Sequence, residues 1–198
     1  MRQLLVAVAY LLGSFPTAYL VVRLAGRGDV RRIGSGNVGA TNTLRAAGVK
    51  LALLVLIVDV GKGVLAVWLM RRATEDPGWV ALAGVAAIVG HCCPVWLSFE
   101  GGKGVATLGG VYAMLAPWVL LAVAGVWLVI FAVTRVVALA SLVAAAALPV
   151  AVYFVLHPPA TVMAATVVAA LVVMWRHRGN LQRIVRGEEP RFGKGDTK

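Results

Sequence analysis

Six apolar runs, at roughly residues 3–22, 51–70, 79–97, 105–133, 136–156 and 159–175, leave this chain almost no sequence from which to build a water-soluble core. A helix crossing the hydrocarbon layer needs about 20 apolar residues, and each run is long enough to supply at least one. Composition agrees, since the 198 residues are 61% hydrophobic and only 14% charged, which excludes an ordinary soluble domain. The expected fold is therefore all-α, a polytopic membrane protein with one integral membrane domain over residues 1–198. Arg2 precedes the first run, but no small-residue cleavage site follows it. The run therefore reads as a retained span, not as a signal peptide.

The distribution of charge sets the expected topology. The segment Arg23 to Lys50 carries six basic residues against Asp29 alone, and the stretch 176–198 carries seven basic and three acidic residues. Both belong on the cytoplasmic side, the second as a basic cytoplasmic tail. The turn from Arg71 to Gly78 balances Arg71 and Arg72 against Glu75 and Asp76, which suits the outer side. Parity then requires the run 105–133 to cross twice, and Pro117, near its middle, is where a helix breaks. Seven transmembrane helices are expected, over about 3–22, 51–70, 79–97, 105–116, 117–133, 136–156 and 159–175, with the amino terminus outside and the carboxyl terminus inside. The last dozen residues read as a mobile tail. The net charge of +11 then belongs to lipid headgroups and topology, with no nucleic-acid partner implied.

The polar residues gather in three segments suited to phosphate. The first is Gly34-Ser-Gly-Asn-Val-Gly-Ala-Thr-Asn-Thr-Leu-Arg45. Its glycines let backbone amides converge on an anion, Ser35, Asn37, Thr41 and Asn42 add side-chain donors, and Arg45 adds a planar fork. Residues 34–39 spell GxGxxG, yet no strand precedes them, so a dinucleotide site fails on context. The second is Gly90-His-Cys-Cys-Pro-Val-Trp-Leu-Ser-Phe-Glu-Gly-Gly-Lys-Gly-Val-Ala-Thr107. Lys103 sits among Gly101, Gly102 and Gly104, free of bulky neighbours. It is not a Walker lysine, because Leu97 stands where that loop needs glycine and Gly104 where it needs a magnesium-holding hydroxyl. His91, Cys92 and Cys93 are consecutive, so they cannot face one ion from a helix; no metal and no cofactor is expected. The third is Arg176-His-Arg-Gly-Asn-Leu-Gln-Arg-Ile-Val-Arg-Gly-Glu-Glu189, in which His177 and Asn180 share one helical face at the membrane boundary. Asp59 and Lys62 read first as a structural ion pair within a span, and Ser141 as a packing serine.

Taken with Gly13-Ser-Phe-Pro16 and Asp59-Val-Gly-Lys-Gly63, these segments place five motifs in one order along nearly the whole chain. In that order they resemble the bacterial membrane glycerol-3-phosphate acyltransferases that use acyl phosphate as donor. The resemblance implies a seven-helix protein of the bacterial cell (inner) membrane, with its active site toward the cytoplasm. Such an enzyme transfers a fatty acyl group to the sn-1 hydroxyl of glycerol 3-phosphate, giving lysophosphatidic acid and phosphate for phospholipid biosynthesis. It further implies that Ser35, Arg45, Lys103, Ser141, His177 and Asn180 bind glycerol 3-phosphate, with His177, Asn180 and Lys103 catalytic. The acyl phosphate would meet Gly36, Asn37, Gly39, Ala40, Thr41, Asn42, Gly102 and Lys103. Partners would be the two substrates, membrane lipid and an acyl-phosphate-synthesising enzyme. The histidine-to-aspartate spacing of thioester-using acyltransferases is absent, since His91, His157 and His177 are followed five positions on by Trp96, Val162 and Gln182. A membrane transporter of a phosphate ester is the alternative, because broken helices and glycine-rich anion sites also occur in carriers. Carriers are built from related halves, and the chain shows no internal repeat.

Overall fold

The computed structural model describes residues 1–193, and every regular element among them is helical. The helices are α1 Arg2–Ser14, α2 Thr17–Leu24, α3 Ala40–Ala47, α4 Val49–Ala73, α5 Pro77–Cys92, α6 Val105–Leu115, α7 Pro117–Thr134, α8 Val137–Leu156, α9 Ala160–Arg176 and α10 Arg178–Val185. Five helical runs are long and apolar enough to cross a membrane: Arg2–Leu24, Val49–Ala73, Pro77–Leu97, Pro117–Thr134 and Val137–Leu156. Helices α9 and α10, bent by 57° at His177, make a sixth if taken as one span, and α6 is a shorter apolar helix.

Prolines explain most of the interruptions. The first run reads as one stretch in the sequence but divides at Phe15 and Pro16, because Pro16 cannot donate the next helical hydrogen bond. The break exposes carbonyls inside the membrane, and Lys62 Nζ donates to those of Gly13 (3.1 Å) and Phe15 (2.9 Å). Helix α5 stops at Cys92, two residues short of Pro94, whose ring disfavours helical backbone at Cys93. Between α6 and α7, Ala116 is non-helical, and Pro117 takes the first position of α7, where its missing N–H costs nothing.

Small residues let the helices approach without the hydrophobic drive that water would supply. A Cβ on Gly13 or on Gly90 would overlap the carbonyl oxygen of Ala87 or Tyr10 respectively, which locks α1 against α5. Gly63 and Gly110 do the same for α4 and α6, against the carbonyls of Thr107 and Val60. The buried core holds Met70, Ile88, Val111, Leu148 and Val173, while Ile57, Leu121, Val133 and Phe154 are exposed. A surface this apolar fits lipid as the surrounding solvent.

The carboxyl-terminal stretch is not the mobile tail its composition implies, at least as far as Phe192. Gly187 ends α10 in a left-handed turn in which Glu188 N–H reaches Arg183 O (2.8 Å) and Gly187 N–H reaches Ile184 O (3.0 Å). The chain then folds back. Phe192 N–H donates to Arg135 O at 2.7 Å, and its ring meets Phe131 edge-on with centroids 5.7 Å apart. Residues 194–198 lie outside the described residues.

Candidate functional site

The first glycine-rich loop is braced from within. The buried Asn42 amide donates to Val30 O (3.0 Å) and Ile33 O (2.9 Å) and accepts from Ser35 N–H (3.0 Å). Expected among the acyl-phosphate ligands, Asn42 instead spends its side chain on the loop, because a buried amide must find partners and the curled backbone supplies them. Gly36 has a φ of 69°, and Gly39 starts α3 in extended conformation. Among the described residues no acceptor meets the amides of Gly39, Ala40 and Thr41. They form the open N-terminus of α3, which carries the positive end of the helix dipole. Ser35, Thr41 and Arg45 stand exposed around it, with Gly36 and Asn37 half-buried.

The second loop is clamped on both sides. Gly101 and Gly102 donate their amides to the last carbonyls of α5, on Cys92 (3.2 Å) and His91 (3.0 Å). The carbonyls of the same two glycines accept from Arg176, Nη2 to Gly101 at 2.6 Å and Nε to Gly102 at 3.0 Å. Lys103 therefore springs from a fixed backbone, directly before the N-terminus of α6, where Val105, Ala106 and Thr107 also present amides with no acceptor among the described residues.

The third segment completes the enclosure. His177 is buried, and its Nδ1 lies 2.8 Å from Val173 O. A carbonyl only accepts, so Nδ1 carries the proton and Nε2 keeps its lone pair. Burial chiefly, partly offset by that hydrogen bond, pushes the imidazole down to about 4, so it is neutral at pH 7. Asn180 Nδ2 donates to Glu189 Oε1 (2.6 Å), and Arg183 Nε holds Oε2 of the same carboxylate at 2.7 Å.

These segments converge on Lys103. Burial pushes its ammonium down to about 8, Glu189 opposes that shift, and Arg183, Arg45 and Arg176 add to it. Three guanidiniums and one carboxylate thus lie within electrostatic reach of a half-buried amine, beside His177, whose own shift registers Lys103 and Glu189. Such a concentration of positive charge is costly unless an anion occupies it. Gly102 lies where the two loops touch, since a Cβ there would come within 2.8 Å of Val38 O. Ser141 is less free than expected. Its hydroxyl donates to Val137 O (2.9 Å) and accepts from Trp127 Nε1 (3.1 Å).

Two members of the enclosure escape the sequence reading. Arg176 reads as one more headgroup-facing arginine, and nothing local marks it as the clamp of a loop 74 and 75 residues away. Glu189 reads as tail. Gly187 was the available signal, because a glycine after a helical run turns the chain back toward the helix it ends.

Comparison with known proteins identifies the lineage. The family model for glycerol-3-phosphate acyltransferase matches residues 3–187. The glycerol-3-phosphate acyltransferase of Erythrobacter litoralis (strain HTCC2594) is 46% identical over 187 residues, 94% of this chain and 92% of the relative. That of Gloeobacter violaceus (strain ATCC 29082 / PCC 7421) is 48% identical over 192 residues, covering 94% and 93%. The crystal structure of PlsY (YgiH), an integral membrane glycerol 3-phosphate acyltransferase, in its glycerol 3-phosphate form superposes with a TM-score of 0.92 at 38% identity, covering 97% of this chain and 96% of that one. Its lysophosphatidic acid form gives a TM-score of 0.89 at 37% identity, covering 97% and 95%. With sequence agreement at this level over almost the full length, and a matching membrane-protein fold, the chain belongs to the glycerol-3-phosphate acyltransferase family of integral membrane enzymes.

Proposed function

We propose that this acyltransferase takes its acyl group from acyl phosphate and delivers it to the sn-1 hydroxyl of glycerol 3-phosphate, releasing phosphate and forming lysophosphatidic acid. The observation that carries the reading is Lys103, directly before the open N-terminus of α6 and next to the point where the two loops touch, with Arg45, Arg176, Arg183 and Glu189 in electrostatic reach. One phosphate alone does not need so much positive charge, whereas two phosphorylated substrates that repel each other do. The acyl phosphate group sits on the amides of Gly39, Ala40 and Thr41, near Gly36, Asn37 and Gly102. Glycerol 3-phosphate is held by Ser35, Arg45, Lys103 and Asn180, while Ser141 serves only by positioning. Lys103 is shared between the two phosphates.

The hydroxyl oxygen attacks the acyl carbonyl carbon, the carbon–oxygen bond to phosphate breaks, and the phosphate leaves with that electron pair. The mixed anhydride is already activated, so no covalent enzyme intermediate is needed. His177 accepts a hydrogen bond from the hydroxyl at Nε2 and aligns it. Burial lowers the basicity of the imidazole, which favours a substrate phosphate as the group that takes the proton. In a seven-span arrangement whose basic excess lies inside, this chemistry belongs at the cytoplasmic face of the inner membrane, where glycerol 3-phosphate arrives from water, the acyl chain enters from the bilayer, and a donor-synthesising enzyme can dock.

The test is purified protein with radiolabelled glycerol 3-phosphate and either acyl phosphate or acyl thioester. Labelled lysophosphatidic acid is expected only with acyl phosphate, and undiminished by excess chelator. Equal product from the thioester would overturn the donor assignment, and uptake into sealed vesicles without product would favour carriage over catalysis.

A further inference from the structure

Beneath the Lys103 loop lies a buried polar cluster that the reaction does not use directly. Asp59 Oδ1 is 2.9 Å from Lys62 Nζ, accepts from Thr17 Oγ1 at 3.1 Å, and stands 3.7 Å from His91 Nδ1. Asp59, Lys62, His91 and Thr17 are all buried. Lys62 has a structural task, since it satisfies the two carbonyls freed at the break before Pro16. His91 has none of that kind. A polar ring inside a span calls for a partner or a task, and the other ring nitrogen points to one. It faces the backbone of Gly102, where a Cβ would overlap His91 Nε2 outright and come within 2.8 Å of Val38 O. Gly102 is therefore pressed between the imidazole and the carbonyl of the first anion loop.

We propose that His91, held by Asp59, is a positioning residue whose ring is the spacer that sets the gap between the two phosphate loops and thereby the reach of Lys103. The inference rests on the reading of those loops as phosphate sites. The ring is wedged between a fixed carboxylate on α4 and a glycine whose amide and carbonyl are both already bonded, so the loop cannot slide along it. It can only rise or sink with the thickness of whatever fills position 91. Because Lys103 follows Gly102 directly, its ammonium moves with the loop. Asp59 stands beside the ring at 3.7 Å, and the ion pair with Lys62 holds that carboxylate in place.

This geometry predicts a specific coupling. Gly102→Ala should raise KM for both substrates and lower kcat/KM, because the new methyl group pushes the loop off the imidazole. His91→Ala should also lower kcat/KM by letting the loop sink. In the double variant the alanine methyl is freed of its clash with the ring and keeps only the close approach to Val38 O, so His91→Ala should partly rescue Gly102→Ala. The expected departure from multiplicative losses is about tenfold in kcat/KM, the size typical of contacting residues. The cycle is read as kcat and KM for each substrate on detergent-purified protein, with size-exclusion profiles as the folding control. If His91→Ala does not fold, His91→Asn serves in the same cycle, since it shortens the side chain while keeping a polar atom toward Asp59. Losses that multiply within twofold would overturn the spacer role. Wild-type protein inactive with acyl phosphate would instead defeat the underlying functional reading, so the two failures are distinguishable.

Discussion

At the scale of single residues, Lys103 decides most. Its ammonium is already disfavoured by burial in the free enzyme, so it gains more from an incoming phosphate than a solvated lysine would. Lys103→Met should lower kcat/KM for glycerol 3-phosphate by about 100-fold to 1,000-fold, the range for removing a charged donor from a preorganised site. Lys103→Arg should recover little, because a planar fork cannot replace a point charge between two anions. The sign of the pH effect follows from the downward shift. Below about 8 the amine is protonated and ready; above it, binding must first restore a proton, so affinity falls. KM for glycerol 3-phosphate should climb toward tenfold per pH unit above about 8, flattening in Lys103→Met. The imidazole gives a contrasting expectation. If phosphate takes the proton, His177→Gln should cost about tenfold in kcat through lost alignment while leaving the shape of the pH–rate profile unchanged. Disappearance of an acid limb near pH 4 in that variant would restore histidine as the base.

At the scale of elements, run length and proline position made the helices readable, and neither depends on distant contacts. Pro117 marks the junction of α6 and α7 for local reasons, and Pro16 could have marked the division of α1 from α2 by the same logic. The rest was hidden because it is tertiary. The Gly13, Gly63, Gly90 and Gly110 contacts depend on which helices pair, which no local pattern states. Asn42 looked like a ligand because donors in a glycine-rich loop usually do; only the folded loop shows that its amide is consumed. Arg176 could not be told from its basic neighbours until its fork was seen across the Gly101 and Gly102 carbonyls. That contact yields a prediction at the same scale. Arg176→Lys keeps the charge but cannot hold both carbonyls, so the loop should loosen, with a stability loss of about 1–3 kcal/mol from unsatisfied carbonyls. Thermal unfolding and KM for glycerol 3-phosphate should worsen together. A change in stability with KM untouched would mean that the clamp does not position Lys103.

At the scale of the whole molecule, the question is how many times the chain crosses. A cavity of about 520 Å³ is lined by Arg71, Pro77, Leu115, Leu156 and Pro159, which gathers the ends of α4, α6 and α8 and the starts of α5 and α9 at one place. The starts of α3 and α6 and the end of α9 meet instead around Lys103. The hydrogen bond from Phe192 to Arg135 likewise puts the α7–α8 turn with the end of the chain. If the two groups are the two membrane faces, α6 and α7 run in opposite directions and each crosses. Helix α6 has 11 residues, which at ~1.5 Å each is too short for the ~30 Å hydrocarbon layer. On the proposed seven-span arrangement the loop before it would make up the deficit by entering the membrane, which is permitted where backbone lines a polar cavity. The proposed sidedness rests on charge, since the group containing Lys103 carries the basic excess expected on the inside. Single cysteines at Glu75, Arg32, Arg135 and Arg191 test both points with an impermeant maleimide, using the unsubstituted protein to set the background from Cys92 and Cys93. Glu75→Cys should label in intact cells, and the other three only after lysis. Labelling of Arg135→Cys from outside would remove one crossing from the α6–α7 pair and, with it, the seven-span arrangement.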